Sequence, residues 1–254
     1  MKRIVQFFLI LVLFVPGGCR EQVPGETGNE ISLVRSNPPE QFTGTWTWYY
    51  PDGQIQAVRE MQDGMIQGSV TEYYENGNVR EKYTRIDGKL QGQFLHYRPD
   101  GDMELSCFYK DNLLDGIMTQ YYESGNRIRS IQNYSDGKRD GPLTLYYRNG
   151  VLRGSVGYYE DKMEGDRICY YPNGKIQEAI LITAPNKQSF SVAFYHENGQ
   201  LAESYMVKNH LTEGAFLSYY ENGSLQRKGQ YKAGEMVGTW YYYDREGRET
   251  VVRY

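Results

Sequence analysis

The chain has 254 residues, 39% apolar and 24% charged, with a net charge of -4 and a pI of about 5.6. That balance excludes a largely disordered chain, and it lacks the basic stripe of nucleic-acid binders, so no nucleic acid is expected as partner. The 25 Tyr and 28 Gly against only 9 Pro point to many short strands joined by tight turns.

The chain opens with Lys2 and Arg3, followed by an apolar run from Ile4 to Val15 that is short for a bilayer span and ends in small residues. Residues 1–18 are therefore read as a signal peptide for export. Val15-Pro16-Gly17-Gly18-Cys19 resembles a bacterial lipobox, with Pro16 where that pattern usually has Leu, and the resemblance implies lipid attachment at Cys19. Residues 19–43 hold Pro24, Pro38, Pro39, Gly25 and Gly28 without apolar period, and are expected to act as a lipid-anchored flexible linker. The expected location is the bacterial cell envelope, with the membrane reached through the lipid alone; a plain secreted or periplasmic protein is the alternative. Apart from Cys19 only Cys107 and Cys169 remain, in units too far apart to pair, so no disulfide framework is expected.

From residue 44 to 254 the sequence repeats itself in steps of 24 or 25 residues. Units open at Gly44, Gly68, Gly92, Gly116, Gly141, Gly165, Gly214 and Gly238, with Phe190 standing in once. Five residues after each opening stands a Tyr and four further a Gly: Tyr49 and Gly53, Tyr73 and Gly77, Tyr97 and Gly101, Tyr121 and Gly125, Tyr146 and Gly150. The series continues with Tyr170 and Gly174, Tyr195 and Gly199, Tyr219 and Gly223, and Tyr243 and Gly247.

Between Tyr and Gly lie runs such as Tyr50-Pro51-Asp52-Gly53. Pro holds φ near -65° at the first loop position, which excludes a type I′ turn and leaves a type I turn closed by a left-handed Gly with a bulge. A three-residue loop sets each Tyr opposite the second residue after Gly, namely Ile55, Val79, Met103, Leu152, Ile176, Leu201 or Leu225. One further apolar position lies deeper on the incoming strand, at Trp46, Val70, Phe94, Met118, Leu143, Val192, Phe216 and Trp240, interrupted by Arg167. The opposite face near the turn is polar, with Arg80 and Arg153 expected as exposed contact residues. Second turns at Asp63-Gly64, Asp87-Gly88, Asp111-Asn112, Asp136-Gly137 and Ala233-Gly234 join successive hairpins, and are poorly kept at Ala184-Pro185-Asn186 and Lys208-Asn209. The expected fold is all-β: an extended single-layer antiparallel β-meander of tandem hairpin repeats of about 24 residues.

Gly68 to Gly77, GSVTEYYENG, and Gly214 to Leu225, GAFLSYYENGSL, resemble the variant MORN repeats, including the YwqK-type group. The likeness spans about eight and a half units. It implies a β-meander scaffold without catalytic residues, associated elsewhere with protein contacts, membrane association or antitoxin roles.

No residue pattern argues for chemistry. His96, His196 and His210 fall at different places in their units and away from ligand spacings, neighbouring carboxylates such as Glu72 and Glu75 read as solvated, and no nucleophile motif or phosphate loop is present. No enzyme activity, cofactor or metal is expected. The expected function is a non-enzymatic, envelope-anchored scaffold for another protein, antitoxin-like as one form of it. A cell-wall or glycan-binding module is the alternative, since Gly238-Thr239-Trp240-Tyr241-Tyr242-Tyr243 resembles a choline-binding type of repeat.

Overall fold

The computed structural model describes residues 37–183 and 188–254. The signal peptide, Cys19, most of the linker and the Ala184-Pro185-Asn186 turn lie outside the described residues. Within them the chain forms 19 strands, from Gly44–Tyr49 to Glu249–Arg253, all paired antiparallel in one open sheet with no helix. Neighbours in sequence are neighbours in the sheet, as Ile55–Gln62 between Gly44–Tyr49 and Met65–Tyr73 illustrates. Two short strands, Leu113–Leu114 and Gly116–Tyr121, face the same neighbour Met103–Lys110 and are halves of one strand interrupted at Asp115, whose N–H bonds the Phe108 carbonyl at 2.9 Å.

The Tyr-to-Gly loops take the geometry that Pro51 demands. The Gly53 N–H donates to the Tyr50 carbonyl at 2.9 Å, and the Tyr50 N–H to the Gln54 carbonyl at 2.7 Å, which closes a type I turn with a bulge at Gly53, φ 88°. Asp52 adds a side-chain cap by accepting from the Gln54 N–H at 3.0 Å, and Asn76, Asp100, Asn149, Asn173, Asn198 and Asn222 do the same in their loops. The register follows: Tyr49 lies opposite Ile55, Tyr73 opposite Val79, Tyr146 opposite Leu152 and Tyr219 opposite Leu225. One loop is a residue longer. Ser124, Gly125 and Asn126 all have positive φ there, and Tyr121 faces Ile128.

The turns between hairpins hold two consecutive left-handed residues, as at Asp63 (φ 48°) and Gly64 (φ 75°), the type I′ geometry that matches strand twist. The sequence reading overlooked one of these turns and misplaced another. Glu160-Asp161 forms such a turn without any Gly, and the turn placed at Lys208-Asn209 is a regular one at Asn209-His210, one residue later.

The opening Gly sits in mid-strand, at a bulge. Arg59 pairs with Val70 and Met61 with Ile66, so Glu60 alone opposes Gln67, Gly68 and Ser69. Gly68 has φ 124°, and a Cβ there would lie 2.1 Å from the Glu60 carboxylate, which accepts the Ser69 N–H at 2.8 Å. At Phe190, where the side chain disfavours positive φ, the pairing of Ile176–Ile182 with Ser189–Tyr195 runs without a register shift. Losing the glycine removes the bulge and leaves the strands paired.

Burial concentrates on one face. Val70, Met118, Leu143, Val192, Phe216 and Trp240, the deeper apolar position, are buried there with Ala57, Tyr83, Cys107, Val156 and Val207. Rings join across strands: Phe94 stacks on Tyr83 at 5.7 Å, and Trp240 meets Phe216 at 5.6 Å and Tyr231 at 5.1 Å. Gly229 makes room for the Trp240 indole, since a Cβ there would fall 2.1 Å from the ring. Cys107 and Cys169 are not joined in a disulfide.

Candidate binding faces of the repeat array

The residue after each repeat Tyr ties one unit to the next. The Tyr50 hydroxyl donates to the Tyr73 carbonyl at 2.6 Å, Tyr74 to Tyr97 at 2.7 Å, Tyr122 to Tyr146, Tyr147 to Tyr170 and Tyr171 to Tyr195 each at 2.7 Å, and Tyr220 to Tyr243 at 2.8 Å. Where the sequence departs from Tyr, the bond survives. Arg98 donates to the carbonyls of Tyr121 and Tyr122 at 3.1 and 3.2 Å, and the His196 Nε2 lies 3.0 Å from the Tyr219 carbonyl, which fixes the proton on that nitrogen. Burial is the chief cause that raises the phenols of Tyr50, Tyr74, Tyr147 and Tyr171 above their ordinary value. They remain neutral donors at any physiological pH.

The repeat-defining Tyr therefore contributes its main-chain carbonyl to these staples, while its ring points to the other face. Sequence reasoning missed the second aromatic. Its signal was present in the Tyr-Tyr pairs, and Arg98 and His196 hide it as a motif.

On the buried face lies a charged cluster that the sequence reading took for solvated residues. Glu72 is buried, 4% exposed, because its carboxylate is bound by Arg80, by Arg59 at 3.1 Å and by the Tyr83 hydroxyl at 3.2 Å. Arg59 in turn lies over the Trp48 ring at 4.7 Å. Burial, with the Glu72 charge next, pushes the Tyr83 phenol up to about 12. Arg80 is thus an ion-pair partner of the fold, not a free contact residue; burial is the largest single influence and works against its charge, yet the charge and hydrogen bond of Glu72, joined by Glu81 and Tyr50, leave its pKa raised. A second buried carboxylate, Glu178, binds Arg167 at 2.6 Å, which explains how a charge stands in the apolar row at Arg167. Burial, then the Glu178 charge, raises the Cys169 thiol, so it stays protonated and unreactive.

His96 also differs from expectation, since its ring nitrogens lie 3.2 Å from Glu81 and 3.4 Å from Glu104. Among the described residues no three His, Cys, Asp or Glu gather as a metal site. The depression beside the longer loop is lined by Tyr122, Glu123, Ser124, Gly125, Arg127 and Arg148. There Arg127 and Arg148 donate to the carbonyls of Arg148 and Glu123.

The other face carries the row of repeat Tyr and aliphatic residues. Most are half-buried, and Tyr49, Ile55 and Ile128 are 53%, 41% and 39% exposed. Further along the same strands this face presents residues such as Thr71, Leu95, Thr119, Ile131, Thr144 and Leu217, mostly short or aliphatic and uncharged. Charge enters at Lys82, paired with Leu95, and at Lys228, paired with Leu217.

This hairpin, with its Gly bulge, Tyr carbonyl and left-handed loop Gly, is a known repeat. Five of the units match the MORN repeat variant. The matched segments are residues 42–63, 66–87, 114–138, 163–181 and 212–233. The units opening at Gly92 and Gly141 lie outside those segments, yet form hairpins of the same register, with Tyr97 opposite Met103 and Tyr146 opposite Leu152. No curated protein matches the chain. Among solved structures, the TcdB2-TccC3-Cdc42 complex is 12% identical, over 80% of this chain and 13% of that chain, with a TM-score of 0.22. A Photorhabdus luminescens Tc holotoxin pore is 13% identical, over 81% and 13% of the two chains, again with a TM-score of 0.22. The chain spans only about an eighth of those proteins' length, and likeness at this level carries no argument.

Proposed function

We propose that the chain is a non-enzymatic MORN-type scaffold that binds another protein along its Tyr and aliphatic face, where charge enters only sparsely, as at Lys82 and Lys228. The observation that supports this is the division of labour between the two faces. One is occupied by its own packing, with Glu72 and Glu178 neutralised inside it, whereas the other leaves a continuous half-exposed apolar row. Contiguous apolar surface of that kind marks interaction sites more often than it decorates a solvent face. Attachment to an envelope membrane through Cys19 would hold the scaffold at a surface, and an antitoxin-like role is one use of such a scaffold.

A glycan is the second reading, favoured by one feature. Repeat Tyr recur every second strand, about 9.6 Å apart at about 4.8 Å per strand, and the Tyr49 ring is open to solvent.

The test is Leu95→Glu combined with Ile131→Glu, two changes on that face. Co-purification of a stoichiometric protein from the native host should be lost while the melting temperature holds. Retained capture would reject the face, and selective loss of binding to washed peptidoglycan would replace the protein by glycan.

A further inference from the structure

The loops carry a second set of ties between units. In Asn76, Asn149, Asn173 and Asn198 the side-chain Oδ1 accepts the N–H two residues on, and the Nδ2 reaches across to the next loop. Asn76 donates to the Pro99 carbonyl at 2.6 Å, Asn149 to Pro172 at 3.2 Å, Asn173 to Glu197 at 2.9 Å, and Asn198 to Glu221. Each of these side chains is held at both ends, its amide nitrogen by another unit.

Asn222 holds the same loop position and differs. Its Oδ1 accepts twice, from the Ser224 N–H at 2.9 Å and from the Ser224 hydroxyl at 2.7 Å, while among the described residues its Nδ2 has no acceptor. The corresponding carbonyl is that of Arg245, at the tip of the hairpin of Glu235–Tyr243 and Glu249–Arg253. That hairpin pairs without the register shift carried by the one before it. The Asn222 side chain is exposed.

All five asparagines precede a glycine: Gly77, Gly150, Gly174, Gly199 and Gly223. With no side chain to shield it, a glycine nitrogen can attack the amide carbon of the preceding asparagine. The nitrogen gives its proton to solvent and bonds to Cγ; the Cγ–Nδ2 bond breaks, and Nδ2 takes a proton from water and leaves as ammonia. Water then opens the five-membered imide, at Cγ to give aspartate or at the main-chain carbonyl to give isoaspartate. In every loop the glycine N–H must first leave a carbonyl, as Gly77 leaves Tyr74 at 2.9 Å and Gly223 leaves Tyr220 at 2.8 Å, so that bond does not distinguish the sites. The amide does. Its nitrogen is tied to a second unit in four loops and free in Asn222, where two donors also meet the oxygen on which charge develops.

We propose that Asn222 is a deamidation site, the first of these five Asn-Gly loops to convert in the folded array. The aspartate product keeps the loop closed, since Asp52 and Asp100 occupy the same position and accept from the Gln54 and Asp102 N–H groups. The isoaspartate product adds a methylene to the main chain of a three-residue loop. It displaces Tyr220, whose hydroxyl ties its unit to the Tyr243 carbonyl.

The experiment is incubation of the full chain at mildly alkaline pH, followed by peptide mapping in a mass spectrometer with aspartate and isoaspartate separated at each asparagine. In the folded chain, conversion at Asn222 should run several times faster than at Asn76, Asn149, Asn173 or Asn198. In urea, where only the shared glycine remains to act, the five rates should draw together. Ser224→Ala removes one of the two donors and should slow Asn222 alone. Equal rates at the five sites of the folded chain, or a faster rate at any of the tied four, overturn the proposal. A preference for Asn222 that persists undiminished in urea overturns it as well, because the fold would then have no part in it.

Discussion

The Tyr74 hydroxyl donates to the main-chain carbonyl of Tyr97 at 2.7 Å, across the boundary between two hairpin units. A bond of this kind contributes about 1 kcal/mol net, and it acts on a carbonyl beyond the reach of the sheet ladder, where the preceding hairpin has already turned. Tyr74→Phe should therefore lower unfolding stability by about 1 kcal/mol. Tyr73→Phe leaves the corresponding bond from Tyr50 in place, because Tyr73 contributes only its carbonyl there. Urea melts of the two variants check this, and equal losses would contradict the staple.

Glu72 holds two guanidinium groups and a phenol on the inner face. Removing one partner of a buried pair costs about 3–5 kcal/mol, and partial exposure of Arg59 and Arg80 brings the expectation for Glu72→Ala down to about 2 kcal/mol. Arg80→Glu sets a second carboxylate against Glu72 and should destabilise at least as much, whereas Arg153→Glu, at an exposed position, should change stability by only about 0.5 kcal/mol. Thermal melts of the three variants decide it, with similar melting of Arg80→Glu and Arg153→Glu as the contrary result.

Gly77 closes its loop at φ 84°, with only the Gln54 Oε1 as near as 3.5 Å to where a Cβ would sit. The cost of Gly77→Val is thus backbone strain rather than collision, about 1 kcal/mol or more. Ala233, at φ 49° in a turn between hairpins, gives the opposite sign. Ala233→Asn should stabilise by a few tenths to about 1 kcal/mol, since Asn tolerates the left-handed region. A chemical melt that moves both variants in the same direction would refute this account of the turns.

Alkaline pH should loosen the array. Burial is the chief cause that pushes the phenols of Tyr83, Tyr205 and Tyr242 from their ordinary value of 10.0 up to about 12. The unfolded chain releases these protons first, so the stabilisation is complete below pH 10 and declines between 10 and about 12. Stability flat through that window would contradict the burial of these rings.

The repeat was legible in sequence because its determinants are local. Pro51, Asp52 and Gly53 fix a loop, the loop fixes the register of Tyr49 with Ile55, and the period then repeats the result. What sequence concealed depends on geometry between strands. Glu72 meets Arg59 and Arg80 across two different strand boundaries, and Tyr74 meets Tyr97 only once the next unit is in place. Glu160-Asp161 escaped notice because its left-handed pair contains no glycine to announce it.

The most direct test of a linear stapled array is residue-resolved hydrogen exchange on Tyr122→Phe, which removes the 2.7 Å bond to the Tyr146 carbonyl. A sheet whose units contact only their neighbours should lose protection locally. Exchange should quicken in Ile128–Ser135 and Lys138–Tyr146, and stay unchanged in Ile55–Gln62 and Leu225–Lys232. Equal acceleration across all four strands would show one cooperative core and contradict the array.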